Sequence, residues 1–243
     1  FGACFGVSGG YERPMWFALD GEKAEYEYSY NYQSWYPSAE YETNNTIKNI
    51  GLFDLTPFSK FEIKSEKAHQ ELQKICTANI KNEIGKCTYT HMLNPDGGIE
   101  TDLTVVCLDK NYFRIISSAA TRERDKFHIN KYLSKDIKLI DVTDDYCVFG
   151  LFGPKSRDLI QTISEDHFEN DKFKFGTGKN IIIEGIKVWA QRLSYVGELG
   201  YELYTEFNDA KRLYELIIEK GKDFNLSNCG MHAMDIMRME SGF

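Results

Sequence analysis

The sequence predicts an α+β protein built from two related sheet-and-helix halves. Short stretches with the two-residue period of strands are separated by amphipathic stretches with the period of helices. A similar series of strands and helices occurs twice, before and after about residue 145. No low-complexity linker divides the two series, so we expect the halves to intertwine.

Residues 1–60 are rich in glycine and aromatic residues and show little periodicity, which predicts an irregular lead-in. Within them, residues 26–32 alternate aromatic and polar side chains, the pattern of a strand. A helix is predicted at residues 39–47, with a short strand and turn at residues 51–57. We interpret residues 1–60 as the lead-in and the start of a first subdomain.

The first series lies mainly in residues 61–145, which we interpret as a second subdomain. Its predicted elements are a strand at 60–63, a helix capped by Ser65 with Ala68, Leu72 and Ile75 on one face, strands at 88–93, 101–108 and 112–117, and a helix at 121–133.

The second series occupies residues 146–243, which we interpret as the remainder of the first subdomain. A strand is predicted at 146–152, a helix opening at 153–154 where Pro154 suits the first turn, a hairpin at 180–193 with its turn at Glu184 and Gly185, a strand at 201–205 and a helix at 208–221.

The composition excludes several classes of protein. The 243 residues are 42% hydrophobic and 27% charged, which is typical of globular proteins. The net charge is -8 and no run of Lys or Arg exceeds a pair, so nucleic acid is not an expected partner. No apolar stretch approaches the roughly 20 residues that span a bilayer, so no membrane partner is expected.

The cysteines and histidines indicate neither a disulfide framework nor a metal site. The six cysteines and five histidines are widely scattered, with no Cys-x-x-Cys pair. We therefore expect reduced thiols and a reducing compartment. Abundant Ile, Lys and Asn favour the cytoplasm of a bacterium; the mitochondrial matrix is the alternative for a eukaryotic source.

Asp102 is the first candidate for chemistry. It follows Gly97 and Gly98, which permit a tight turn and the close approach of a ligand, and an apolar strand gives it a rigid mount. On spacing alone, a turn aspartate is the commoner interpretation. Asp96 is interpreted as a turn residue.

Tyr195, Glu198 and Glu202 form the second candidate group. Gly197 and Gly200 allow a sharp turn that would bring these side chains to one pocket. A carboxylate only accepts hydrogen bonds, so it suits a ligand edge with two adjacent N–H donors. Solvated glutamates on a hairpin are the alternative.

Tyr89, Arg192 and Arg238 are weaker candidates. Tyr89 would stack on an aromatic ligand or remain a half-buried strand residue. Either arginine would hold a ligand carboxylate or pair with nearby acids. The sequence has no dinucleotide fingerprint, phosphate-binding loop or nucleophile elbow.

Five motifs, in this order, resemble the aminomethyltransferase folate-binding family, which includes the glycine cleavage T-protein. They are Gly51-Leu-Phe-Asp-Leu-Thr-Pro-Phe-Ser-Lys, Tyr89-Thr-His-Met-Leu-Asn-Pro-Asp-Gly-Gly-Ile, Leu151-Phe-Gly-Pro-Lys-Ser-Arg, Tyr195-Val-Gly-Glu-Leu-Gly-Tyr-Glu and Met234-Asp-Ile-Met-Arg-Met-Glu-Ser-Gly. This resemblance extends from about residue 45 to the end of the chain.

The lead-in is similar to the junction found in dimethylglycine and sarcosine dehydrogenases. There, an FAD-dependent domain precedes the folate-binding portion and a barrel follows it. We therefore expect an excised folate-binding portion, without its N-terminal flavin domain and its C-terminal barrel. Thr101 stands where the T-protein usually has an acid, which favours the dehydrogenase branch.

The resemblance implies two intertwined sheet-and-helix domains that bind tetrahydrofolate. A flavin domain of the same parent chain, carrying FAD, would oxidise an N-methyl amine, and this portion would capture the one-carbon unit as 5,10-methylenetetrahydrofolate. Asp102 corresponds to the key acidic residue. Tyr195 and Glu202 match residues that recognise the pterin, Tyr89 would line the pocket, and Arg238 would lie near the anionic tail of the folate.

Three alternatives are open at this stage. One is another enzyme of the same fold, a glycine-cleavage aminomethyltransferase or a dimethylsulfoniopropionate demethylase. A second is a regulatory relative, such as the regulatory subunit of pyruvate dehydrogenase phosphatase. The third is a structural domain without a ligand.

Overall fold

A computed structural model describes residues 1–243 as thirteen strands and six helices. The strands are β1 (Ala3–Ser8), β2 (Tyr11–Phe17), β3 (Ile50–Asp54), β4 (Ser59–Lys64), β5 (Cys87–Leu93), β6 (Ile99–Asp109), β7 (Tyr112–Ser117), β8 (Leu139–Asp141), β9 (Tyr146–Phe152), β10 (Gly178–Ile183), β11 (Ile186–Gln191), β12 (Gly200–Glu206) and β13 (Leu226–Cys229). The helices are α1 (Tyr36–Lys48), α2 (Ala68–Ile75), α3 (Arg122–Tyr132), α4 (Ser156–Ile163), α5 (Phe207–Gly221) and α6 (Met231–Glu240). None of the helices is long and apolar enough to cross a bilayer.

Two large sheets organise the chain. The main sheet has six strands in the order β10-β11-β12-β9-β3-β13, and the second sheet has five in the order β5-β6-β7-β4-β8. The chain leaves the main sheet after β3, builds the whole second sheet, and returns to the main sheet at β9. The predicted intertwined α+β fold is therefore confirmed.

The sheets pack face to face between two helical layers. Leu159, Ile160 and Leu213 of α4 and α5 pack on the outer face of the main sheet. Leu72 and Ile129 of α2 and α3 pack on the outer face of the second sheet. A third cluster joins the two inner faces and contains Phe53, Val106, Ile116, Phe152, Trp189 and Tyr204.

Most strands and helices lie where the periodicity of the sequence predicted them. The turn of the β10–β11 hairpin is at Glu184 and Gly185, with φ of 46° and 80°, values that a two-residue hairpin turn requires. No side chain caps α2; the Ser65 hydroxyl only accepts from Lys67 N at 3.3 Å. Helix α4 begins at Ser156, so Pro154 lies just ahead of its first turn.

Two predictions for the lead-in are wrong. Residues 26–32 do not form a strand: Tyr26 packs edge-on against Trp16 at 4.3 Å between ring centroids, while Tyr28 and Tyr30 are exposed. The stretch predicted to be irregular instead contains an antiparallel pair, β1 and β2. Aromatic packing, rather than a sheet ladder, accounts for the alternation.

Buried Glu42 joins this lead-in to the rest of the fold. Its carboxylate accepts from Phe17 N at 2.6 Å and from Gly230 N at 2.7 Å, beside the start of α6. Burial raises the pKa of Glu42 to about 7, and the two backbone donors oppose that rise. One carboxylate thus connects β2, α1 and α6.

Ionisable side chains are buried between the two sheets. Arg114 donates from Nε and Nη2 to Glu62 Oε1 at 2.9 and 2.6 Å, and Tyr112 also bonds to Glu62. The guanidinium lies 4.3 Å from the ring centroid of Tyr146. Lys60 is fully buried, which lowers its pKa to about 8, and its ammonium donates to backbone carbonyls. The inner faces are therefore partly charged.

We expect Arg114→Met to lower the free energy of unfolding by about 3 to 5 kcal/mol, because Glu62 would stay buried without its cation. Urea unfolding followed by circular dichroism measures the change. Lys67→Met is the matched control, since Lys67 pairs with Asp136 at the surface and the midpoint should not move. Equal midpoints for Arg114→Met and the wild type would contradict a structural role for the buried pair.

Candidate functional site

Tyr89 and Asp102 come together at the open edge of the second sheet. Strand pairing places Tyr89 opposite Thr104 and His91 opposite Asp102, so Tyr89 and Asp102 are diagonal neighbours on the inner face. The Tyr89 hydroxyl donates to Asp102 Oδ2 at 3.1 Å. Both side chains are exposed, Tyr89 by 62%, which leaves its ring and one carboxylate oxygen of Asp102 open to a ligand.

Glu202 faces this edge from β12 of the main sheet. Its Oε2 accepts from the Tyr204 hydroxyl at 2.8 Å and from Gln191 Nε2 at 3.1 Å. Burial raises the pKa of Glu202, although both donors favour the ionised form. The other oxygen, Oε1, makes no hydrogen bond to the protein, and the Glu202 residue is only half-buried, so Oε1 is free to accept a hydrogen bond.

Tyr195 is held by a tight loop before β12. Gly197 has a φ of +79°, and a Cβ there would lie 2.1 Å from Ser241 Oγ, so this loop packs directly on the end of α6. The Tyr195 ring is 38% exposed and stacks on Phe243 with 5.8 Å between centroids. The glycine that the sequence motif contains is thus favoured by its positive φ and by the close approach of the Ser241 side chain.

Electrostatic effects connect these residues across the two sheets. The pKa of Tyr89 is raised by burial, by Asp102 and also by Tyr195. Burial raises the pKa of the Cys87 thiol, and Glu202 raises it further. Because Cys87 and Tyr89 are two residues apart on one strand, Glu202 and Tyr195 face the same margin of the second sheet.

The two candidate arginines, Arg192 and Arg238, differ in their hydrogen-bond partners and in their position relative to the site. Arg238 donates from Nε to Asp235 Oδ1 at 2.9 Å and from Nη1 to Phe243 O at 3.3 Å, and Asp235 and Tyr195 raise its pKa. It is half-buried at the Tyr195 margin. Arg192 instead donates to Phe173 O at 2.6 Å, which commits it to the loop before β10.

The remaining acidic candidates, Asp96 and Glu198, make no hydrogen bond to Asp102 or Glu202. Asn94 Oδ1 accepts from the backbone N–H groups of Asp96 and Gly98 at 3.0 and 2.8 Å, which makes Asp96 a turn residue as predicted. Glu198 lies in the loop before β12 and makes no side-chain hydrogen bond.

Three residues that hold the site residues in place, Gln191, Tyr204 and Asp125, were not predicted from the sequence. Gln191 and Tyr204 hold Glu202, and Gln191 is the one polar residue in the run Val188–Gln191, a signal of an inward polar side chain. Buried Asp125 accepts from the hydroxyls of Thr101 and Thr121 at 3.1 and 2.7 Å. It thereby steadies β6 next to Asp102.

The thiols and the possible metal ligands of the chain do not form a cluster. No group of three or more His, Cys, Asp or Glu side chains is arranged to hold a metal ion. All six cysteines are free, and burial raises the pKa of each thiol. The site offers a free oxygen on the Glu202 carboxylate, the accessible rings of Tyr89 and Tyr195, and the exposed carboxylate of Asp102.

Comparisons with known proteins point to one family. A model described as the GCVT N-terminal domain matches residues 1–243. The chain is 34% identical over 243 residues to 4-methylaminobutanoate oxidase (formaldehyde-forming) of Paenarthrobacter nicotinovorans, a match that covers 100% of the chain and 30% of that protein. It is 32% identical over 241 residues to the mitochondrial dimethylglycine dehydrogenase of Rattus norvegicus, covering 98% of the chain and 28% of the relative.

An aminomethyltransferase of Halothermothrix orenii is 31% identical over 205 residues, or 83% of the chain and 57% of that protein. The crystal structure of the glycine cleavage system aminomethyltransferase T from Bartonella henselae has a TM-score of 0.81 at 21% identity, covering 100% of the chain and 60% of that structure. At this identity the likeness shows the fold alone. The chain spans less than a third of the length of the two oxidising relatives.

The raised pKa of Glu202 predicts a stability that depends on pH. A carboxyl whose pKa is higher in the folded state stabilises the fold below its unfolded pKa, and this contribution is lost as pH rises through the folded pKa. We therefore expect Glu202→Gln to raise the melting temperature at pH 8 and to change it little at pH 4, measured by calorimetry. Glu206→Gln, at an exposed position of the same strand, should have no effect at either pH. A lower melting temperature for Glu202→Gln at pH 8 would contradict this prediction.

Proposed function

This chain belongs to the GCVT family of aminomethyltransferase-type domains, and we propose that it is the tetrahydrofolate-binding part of an N-methyl amine dehydrogenase. In this proposal it captures the one-carbon unit released by oxidation of a dimethylglycine- or sarcosine-type amine. The product is 5,10-methylenetetrahydrofolate. The observation that carries the proposal is the free Glu202 Oε1 opposite the exposed Tyr89 and Asp102.

The residues at this margin fit the pterin part of a folate. A pterin presents adjacent N–H donors on one edge, and the acceptor-only carboxylate of Glu202 is their complement. Its flat ring suits the exposed rings of Tyr89 and Tyr195, since aromatic faces stack with modest energies of about 1 kcal/mol. Arg238 lies on the Tyr195 side, where a cation would attract the anionic tail of the folate.

Asp102 is our proposed acid–base group. Capture of formaldehyde forms carbon–nitrogen bonds to N5 and N10 of the folate, and the carbonyl oxygen leaves as water. Both nitrogens lose protons, and the departing oxygen gains them. Asp102 is exposed and keeps Oδ1 free while Oδ2 accepts from Tyr89, so it can carry a proton between these positions. Tyr89 would fix the direction of the carboxylate.

The oxidation step would belong to a flavin domain of the same parent chain, where FAD accepts the electrons. The relatives named as a formaldehyde-forming oxidase and as dimethylglycine dehydrogenase support this division, because both match nearly the full chain. The proposed partners are that flavin domain, the folate and the one-carbon unit. We propose bacterial cytoplasm as the compartment, or the mitochondrial matrix for a eukaryotic source.

A glycine-cleavage aminomethyltransferase is the second candidate. The match to the Halothermothrix orenii protein supports it but covers 83% of the chain, against 98 to 100% for the two oxidising relatives. The wider matches therefore favour the dehydrogenase. For the domain division we propose residues 1–60 and 146–243 as one subdomain and residues 61–145 as the other, in keeping with the two large sheets.

We expect the chain to bind 5-formyltetrahydrofolate saturably in a calorimetric titration at pH 8. Glu202→Gln should weaken binding about 10- to 100-fold, the worth of a hydrogen bond to a charged group. Glu206→Gln is the matched control and should bind like the wild type. Equal affinities for the wild type and Glu202→Gln would place the ligand elsewhere, and absence of binding by the wild type would contradict the proposed function.

We expect Asp102→Asn to bind the folate within about threefold of the wild type but to lose about 10²- to 10⁴-fold in catalysed rate. The rate is that of 5,10-methylenetetrahydrofolate formation from formaldehyde and tetrahydrofolate, above the uncatalysed reaction. Asp96→Asn, in the nearby turn, is the control and should keep the full rate. A full rate in Asp102→Asn would show that Asp102 takes no part in the reaction.

A further inference from the structure

The hydrogen bonds around Glu202 can be assigned donor by donor. The indole Nε1 of Trp189 only donates, and it donates to Gln191 Oε1 at 3.1 Å. The amide of Gln191 is therefore oriented with its oxygen towards Trp189 and its nitrogen towards Glu202. Trp189 and Gln191 lie two residues apart on β11, so both face inward, and both are buried.

The Gln191 amide nitrogen lies within hydrogen-bond distance of two oxygens, Glu202 Oε2 at 3.1 Å and the Tyr204 hydroxyl at 3.3 Å. Because that hydroxyl accepts from Gln191, its own hydrogen is available for Glu202 Oε2, at 2.8 Å. The three side chains therefore form a closed ring of hydrogen bonds.

This ring determines what Glu202 can offer to a ligand. Oε2 receives two donors, so it has no capacity left for a third strong hydrogen bond. Only Oε1 is free. While Gln191 and Tyr204 both donate to Oε2, a proton on the carboxyl would sit on Oε1, and the acceptor that faces the ligand would become a donor.

We propose that Gln191 and Tyr204 are positioning residues that occupy Glu202 Oε2 and so present Oε1 to a ligand edge of N–H donors. This inference rests on the proposed function, because it assumes that the ligand meets Glu202. It goes beyond that function by assigning selectivity to two side chains that would not touch the ligand. Trp189 orients Gln191 by donating its indole N–H to the amide oxygen.

Few charged or titratable groups oppose this arrangement. Tyr204, on the same strand, donates to Glu202, and the Arg114 guanidinium of β7 lies 5.5 Å from the Tyr204 ring centroid. Cys87 of β5 faces Glu202 as a neutral thiol, since burial raises its pKa. On β9, the residue paired with Glu202 is Gly150, which has no side chain. The protonation state of Glu202 therefore depends on its burial and on the two hydrogen-bond donors, Gln191 and Tyr204.

The first test needs no ligand. The carboxyl carbon of Glu202 is titrated by NMR in the wild type, Tyr204→Phe and Gln191→Met, and its signal is assigned by its loss in Glu202→Gln. Removing either donor should move the Glu202 midpoint to higher pH, because the ionised form loses a hydrogen bond. Tyr201→Phe is the matched control, because Tyr201 is on the same strand but faces the outer core. The midpoint of Glu202 in this variant should equal that in the wild type. Unchanged midpoints in both Tyr204→Phe and Gln191→Met would overturn the inference.

The second test measures affinity for 5-formyltetrahydrofolate between pH 5.5 and 8.5 in the same variants. Tyr204→Phe and Gln191→Met should bind about tenfold more weakly than the wild type at pH 6, with a smaller loss at pH 8.5. A loss of equal size at every pH would indicate packing only and would overturn the inference.

The two tests separate this inference from the proposed function. Shifted midpoints without any folate binding by the wild type would leave the hydrogen-bond ring supported and the proposed function contradicted. Folate binding that depends on Glu202, with midpoints unmoved by Tyr204→Phe and Gln191→Met, would overturn the inference alone.

Discussion

Burial of ionisable side chains between the two sheets is the constraint on which the rest of the structure depends. The Glu62–Arg114 pair belongs to the second sheet, and the guanidinium lies near the rings of Tyr146 and Tyr204 on the main sheet. Tyr204 in turn donates to Glu202. Because a buried charge without a partner costs several kcal/mol, these contacts oppose any sliding of one sheet over the other.

The candidate site is a product of that packing. Tyr89 and Asp102 come from the second sheet, whereas Tyr195 and Glu202 come from the main sheet, so the site forms only where the sheets meet. Glu202 is held ionisable in a desolvated position by Tyr204 and Gln191, against the preference of burial for the neutral form. A stabilising substitution at this position would therefore remove the acceptor that a ligand requires, a common conflict between stability and function.

The sequence predicted most of the fold because strand and helix periods are local. Strands β7 and β9 have the predicted bounds. The lead-in is harder to predict. Gly6 of β1 and Pro14 of β2 obscure the strand pattern, and Tyr28 and Tyr30 alternate with polar residues without belonging to a sheet. Among the site residues, Asp102, Tyr89, Tyr195 and Glu202 stand out beside glycines or in motifs. Gln191 and Tyr204 do not, because their importance arises from hydrogen bonds between strands that adjoin only in the folded sheet.

A crystal structure of this chain with 5-formyltetrahydrofolate tests the central claim most directly. We expect the pterin to lie between the two sheets, with its N–H edge within hydrogen-bond distance of Glu202 Oε1 and its ring against Tyr89 or Tyr195. Oε2 should keep its bonds to Gln191 and Tyr204. A pterin bound elsewhere, for example in the apolar cavity of about 480 Å³ lined by Phe1, Phe5 and Tyr214, would contradict the account.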